Sequence, residues 1–155
     1  MLVINGKYYK YAILSRNEAE EFKAWIPYIL ISITDPNEPK VTLRYDNNRL
    51  DTLYLFFHDV SSPHPYYEFR NLIPFGIQQA KKIIDFVNKY KNKAKLIACN
   101  CEAGISRSAG VISAISLILE GKEPDSITKS LLPNTYVKSL ILRAYYEIEN
   151  YDYER

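Results

Sequence analysis

The chain reads as an α/β domain with a largely parallel central sheet flanked by helices. Short, β-branched apolar runs alternate with segments of helical periodicity, the order of elements that a parallel sheet with crossover helices requires. The runs are apolar nearly throughout rather than at every second position, as strands covered on both faces are. A length of 155 residues matches one domain and leaves no room for a second.

Tyr8 to Leu14 is the first expected strand, followed by a helix whose start is marked by Ser15 and Glu18, a capping box. Pro27 is expected to stop that helix. Tyr28 to Ile33 (YILISI) reads as a buried parallel strand ending at Asp35 and Pro36. Residues 34–52 are expected to be loop, or an edge strand around Val41 to Tyr45. Leu53 to Phe57 (LYLFF) reads as a second buried strand that delivers His58 and Asp59 to a loop running to about Tyr67.

Asn71 to Lys91 is expected as an amphipathic helix with Ile77, Ala80, Ile84 and Val87 on one face and lysines toward its C-terminal end. Lys95 to Asn100 is the next strand. Ser106 to Glu120 is apolar nearly all round, so it should be a central helix buried on most sides, with Gly121 as its C-terminal cap. Helices over Asp125 to Leu132 and Asn134 to Asn150 close the chain, the last with Val137, Leu140, Ile141, Ala144 and Ile148 at helical spacing.

Hydrophobic residues make up 47% and charged residues 25%, globular values that exclude disorder. The net charge of +2 gives no bulk field for a nucleic acid or a membrane surface, so any anion must be recognised locally. The two cysteines, Cys99 and Cys101, are too few for a disulfide scaffold and lack the second pair a zinc site needs. No metal and no cofactor are therefore expected, and a reducing cytosol fits. Met1 to Lys10 has no apolar signal core and Ala109 to Leu119 is too short to span a bilayer, so the expectation is a soluble cytoplasmic protein. No oligomeric state is legible, and a monomer fits. The 14 tyrosines are most simply amphipathic packing residues.

In open parallel sheets, ligands bind outside the carboxyl ends of the strands, where Asp59 and Cys101 are both expected to emerge. The segment Cys101-Glu102-Ala103-Gly104-Ile105-Ser106-Arg107-Ser108 lies between a strand and a buried helix. Successive backbone N–H groups from Glu102 to Ser106 at a helix N-terminus form an anion-binding nest, and the helix dipole adds to it. Gly104 allows the turn, and the planar fork of Arg107 can hold two oxygens of a phosphate at once. A free thiol is only ~3% ionised at neutral pH, and a helix N-terminus with a nearby cation favours the thiolate.

A thiolate under a phosphate can attack phosphorus in line while the N–H groups and Arg107 stabilise the equatorial oxygens. An acid on another loop must protonate the leaving oxygen and then activate water, and Asp59 is the candidate. Ser108 is the candidate to donate its hydroxyl to the sulfur. His58, His64 and Asp35 are rivals to Asp59, which could instead be a solvated carboxylate or a cap. Cys99 reads as a small buried residue, since a bridge to Cys101 across one residue would be strained. The lysines from Lys81 to Lys95 complement a helix end more simply than they attract a partner. Tyr66 and Tyr67 could stack on a substrate ring or merely cover apolar surface.

On these residues the chain resembles the cysteine-dependent protein tyrosine phosphatase superfamily, whose signature is His-Cys, five residues, then Arg-Ser or Arg-Thr. It looks most like the compact dual-specificity branch, where the acid precedes the cysteine from the end of a strand. Here LFFHDV sets Asp59 42 positions before Cys101. The likeness spans about Tyr28 to Glu120. It implies a phosphatase-like fold with Cys101 as nucleophile, Arg107 as phosphate clamp, Ser108 as thiolate partner, Asp59 as acid and Glu102 to Ser106 as backbone donors.

The chain departs from that signature in having Asn100 before the cysteine instead of His, a residue that helps orient the loop. Low-molecular-weight phosphatases place an Asp-Pro acid after the cysteine, so Asp35-Pro36 reads as a decoy, and rhodaneses have a shorter loop. Lipid-phosphatase variants carry lysines in the loop, where Glu102, Ala103 and Ile105 supply none. The expected substrate is a phosphorylated protein or peptide, on tyrosine or also on serine and threonine. The alternatives are a catalytically impaired phosphate-binding module and an RNA 5′-phosphatase, for which no broad cationic groove is evident.

Overall fold

The computed structural model describes residues 2–61 and 70–154. Strands β1 (Leu2–Asn5), β2 (Lys10–Leu14), β3 (Tyr28–Thr34), β4 (Arg49–Phe56) and β5 (Leu96–Asn100) form a sheet in the order β1-β2-β5-β3-β4. β1 is antiparallel to β2, and every other pairing is parallel. Helices α1 (Arg16–Glu21), α2 (Ile77–Tyr90), α3 (Arg107–Glu120), α4 (Asp125–Ser130) and α5 (Thr135–Glu154) complete the described elements.

The continuous apolar runs are explained by β3 and β5, in which every residue is buried because alternate side chains enter two separate cores. Ile29, Ile31, Ile33, Ile97 and Cys99 join the larger core with Ile83 of α2, Val111 and Ile115 of α3 and Ile141 of α5. Tyr28, Leu30, Leu96 and Ala98 join the smaller one with Ala19 of α1, Phe22 and Val41. Residues Arg107 to Ser116 of α3 are all buried, the environment its nearly unbroken apolarity demands. Gly121 caps it in the left-handed region, donating its N–H to Leu117 O at 2.9 Å. Among the described residues, no helix is long and apolar enough to cross a membrane.

The structure departs from the sequence expectations in several places. Strand β1, unforeseen, is joined to β2 by a turn with a long-range tie: the Glu120 carboxylate accepts the N–H groups of Lys7 (2.6 Å), Tyr8 (3.2 Å) and Tyr9 (2.9 Å) and the hydroxyl of Tyr11 (3.2 Å) in β2. Burial, then the adjacent carboxylate, holds the Tyr11 phenol well above its ordinary pKa, so it remains a donor. Hydrogen bonds to a charged acceptor contribute more than neutral ones, and these are partly exposed. Glu120→Ala is therefore expected to lower unfolding stability by about 1–3 kcal/mol, measured by urea denaturation, with Glu120→Gln recovering part of it. A change below about 0.5 kcal/mol would remove the pin from the account.

Helix α1 does have the capping box of Ser15 and Glu18 but ends at Glu21, before Pro27, because Phe22 turns into the smaller core edge-on to Tyr28. β4 begins at Arg49 and pairs only with β3, so it is a partly exposed edge strand rather than a buried one. Its Leu and aromatic side chains suit a half-covered surface as well as a buried one, which is why the run misled. No strand forms around Val41, which instead anchors the loop in the smaller core. α2 starts at Ile77, not Asn71, since Asn71 lies in the left-handed region (φ 59°) and Gly76 is the N-cap.

Candidate active site

Cys101 follows β5 directly, 2% exposed, at the foot of the segment that leads into α3. The segment is seated on the end of β2: Cys101 N–H donates to Leu14 O (3.3 Å), and Arg16 N–H donates to Glu102 O (3.1 Å). Gly104 is required there. Its φ is +70°, and an added Cβ would lie 2.5 Å from Ser15 N and 2.6 Å from Leu14 C, both backbone. On the other side, Ser106 O accepts the N–H groups of Gly110 and Asn134, each at 2.9 Å. Among the described residues, the backbone N–H groups from Glu102 to Ser106 are donated to no protein acceptor. They stand at the N-terminus of a 14-residue helix, where the dipole favours an anion.

The buried hydroxyl of Ser108 lies 3.1 Å from Cys101 Sγ. Cys99, two residues back on β5, is a free buried thiol. Burial, and then the neighbouring Cys101, pushes its pKa well above the ordinary thiol value, so it is a neutral packing group. Asn100 between them is buried and lies beside Ser32 in the β3–β5 register. Among the described residues, Asn100 Oδ1, Ser32 Oγ and Thr34 Oγ1 have no hydrogen-bond partner.

Arg107 is 5% exposed, and its Nη1 donates to Asp35 Oδ1 (2.6 Å) and to Phe57 O (2.7 Å). The residues following β3 and β4 thus hold one nitrogen of the fork. Its remaining N–H groups have no protein acceptor among the described residues and can meet the oxygens of an anion. Asp35 is the ion-pair partner of Arg107, a role that sequence pattern did not reveal. Asp35→Asn should weaken competitive inhibition by inorganic phosphate about 10-fold, because a fork misplaced by a fraction of an ångström loses its two-point grip. Unchanged or tighter phosphate inhibition would show that Asp35 does not orient the guanidinium.

Asp59 is exposed and lies on the far side of the segment, with Oδ1 accepting from Ser106 Oγ (3.0 Å) and Asn134 Nδ2 (2.7 Å). Asn134 is the residue that sequence reasoning missed. A Pro-Asn step before a helix reads as a cap, and nothing local indicates a reach to Asp59. His58 is turned elsewhere: its Nδ1 accepts Ile73 N–H (2.8 Å), and its own N–H donates to Ile73 O (2.7 Å). His64, Tyr66 and Tyr67 lie outside the described residues.

No protein-family model matches the sequence, and no curated protein matches it. Solved structures do resemble it. Human DUSP28 superposes with a TM-score of 0.62 at 15% identity, over 96% of this chain and 99% of that one. PTPMT1 in complex with PI(5)P gives 0.56 at 14% identity, over 91% of each chain. Tk-PTP in the active form gives 0.54 at 12% identity, over 89% and 93%. These neighbours are compact dual-specificity phosphatase-like proteins, and the five-stranded sheet with its flanking helices is their architecture. The chain has the dual-specificity, protein tyrosine phosphatase-like fold.

Proposed function

We propose that this protein is a metal-independent phosphomonoesterase that hydrolyses phosphorylated protein or peptide through a cysteinyl-phosphate. One observation carries the proposal: Cys101 Sγ, with Ser108 Oγ at 3.1 Å, shares one segment with unengaged backbone donors, the arginine fork and the Ser106 hydroxyl that bonds Asp59. In the first step the Cys101 thiolate attacks phosphorus and the bond to the leaving oxygen breaks as Asp59 gives that oxygen its proton. In the second, water attacks phosphorus and passes a proton to Asp59, and the S–P bond breaks to return the thiolate, to which Ser108 donates a hydrogen bond. The amides from Glu102 to Ser106 and the guanidinium of Arg107 stabilise the equatorial oxygens throughout.

A peptide is favoured over a polyanion by exposed apolar side chains, one in the segment and two close in sequence or hydrogen bonding to the residues that flank it. Ile105, Leu132 and Ile73 are exposed, and the segment carries Glu102 and no lysine. The apolar side chains suit residues flanking a phosphotyrosine, or a phosphoserine or phosphothreonine that reaches the same depth. PTPMT1, complexed with PI(5)P, makes a phosphoinositide the comparison to test, and a 5′-phosphorylated RNA is the other.

The test is release of inorganic phosphate, with chelator present, from a phosphotyrosine peptide, a phosphoserine peptide, a phosphoinositide and a 5′-phosphorylated RNA. Acid quench and mass spectrometry should find phosphate on the peptide containing Cys101. Faster release from the lipid or the RNA overturns the peptide assignment, and no release from any of them leaves a binding module. That second reading is favoured by Asn100, whose unpartnered Oδ1 stands where the resemblance leads one to expect an orienting His.

A further inference from the structure

We infer that Asn134 is a positioning residue for Asp59, holding its Oδ1 so that Oδ2 carries the transferred proton. This rests on the phosphatase reading above. Asn134 is 5% exposed and ties together three separate parts of the chain. Its Nδ2 donates both to Asp59 Oδ1 (2.7 Å) and to Val60 O (3.0 Å), which fixes the loop after β4. Its backbone N–H donates to Ser106 O (2.9 Å), which fixes the phosphate segment. Its Oδ1 and backbone O accept the N–H groups of Val137 (3.0 Å) and Lys138 (3.1 Å) in the first turn of α5.

The orientation of the amide follows from this network. Val137 N–H can only donate, so the oxygen must face it, and the nitrogen must face the two acceptors, Asp59 and Val60 O. Asp59 Oδ1 then receives two donors, Asn134 Nδ2 and Ser106 Oγ. An oxygen already accepting twice is the poorer place for a proton, whereas Oδ2 has no protein partner among the described residues. The acid is thereby given one proton-bearing atom and one orientation. The close approach is built into α3 as well, since a Cβ at Gly110 would sit 2.6 Å from Asn134 O.

The experiment compares phenyl phosphate, whose leaving group needs a proton, with 4-nitrophenyl phosphate, whose leaving group does not. Asn134→Asp keeps an acceptor for Val137 N–H, and so keeps the cap, but cannot donate to Asp59. It should lose about 30-fold in kcat on phenyl phosphate and less than about 3-fold on 4-nitrophenyl phosphate, with KM near wild type and a melting temperature lowered by the loss of the donor to Val60 O. Asn134→Ala should show the same selectivity with lower thermal stability, from loss of the cap. Adding Asp59→Asn to Asn134→Asp should cost little more than Asp59→Asn alone, since both act on one proton transfer. Equal losses on both esters, or additive losses in the double variant, reject the positioning role while wild-type turnover leaves the phosphatase reading standing. Absence of wild-type turnover on either ester rejects both.

Discussion

Cys101→Ser is expected to reduce turnover of an aryl phosphate by about 10⁴-fold or more, the scale on which removal of a nucleophile acts. A serine hydroxyl in the same place is not ionised at neutral pH and is a far poorer nucleophile toward phosphorus than sulfur. The exchange is small in volume and preserves a polar contact with Ser108, so the melting temperature should shift by only a few degrees, equivalent to about 1 kcal/mol. Vanadate binding without a covalent sulfur link should persist, because the amides from Glu102 to Ser106 are untouched. Initial rates and calorimetric titration with vanadate check the two halves of this result. A variant retaining more than about one hundredth of wild-type kcat would remove Cys101 from the chemistry.

Arg107→Lys should lower kcat by about 10³-fold, near the effect of losing an arginine that stabilises a transferring phosphoryl group. The charge is kept, so the loss isolates geometry. Arg107 uses Nη1 on Asp35 Oδ1 and Phe57 O, which leaves the rest of its planar fork for phosphate. A single ammonium cannot hold the Asp35 carboxylate, the Phe57 carbonyl and two phosphate oxygens together. Phe57 O is buried and would lose its donor, which should cost about 1–2 kcal/mol of stability by urea denaturation. A lysine variant with kcat within about 10-fold of wild type would show that charge alone suffices and that the fork, with Asp35 behind it, is incidental.

The resting arrangement of thiols also has a consequence. Cys99 is buried, and its pKa is driven upward by that burial and by Cys101, so alkylation of the native protein should fall on Cys101 first. The two thiols therefore differ: Cys99, within β5, serves as filling between sheet and helices, and Cys101 stands at the foot of the segment that follows.

Most of the element order was readable because burial leaves a local imprint. β3 and β5 are apolar at every position since both faces are covered, and α3 is apolar all round for the same reason. Edges left a weaker imprint. β1 is a short strand whose connection to β2 is tied down by Glu120, more than a hundred residues away, and β4 carries side chains that suit one covered face as well as two. The segment from Cys101 to Ser108 stands out in the sequence because Cys101, Gly104, Arg107 and Ser108 fall within eight residues of one another, where spacing is itself geometry.

By itself, then, the sequence determined the alternation of strands and helices, the turn at Gly104 and the placing of Cys101 and Arg107 at one helix N-terminus. Only the tertiary structure decided which side chains serve them. Asp35 meets Arg107 across 72 positions, and Asn134 meets Asp59 across 75. The physical reason is that such partners are chosen by how strand ends and a helix start come to lie side by side. That depends on the packing of the whole sheet, and an isolated aspartate or asparagine carries no local pattern that records it.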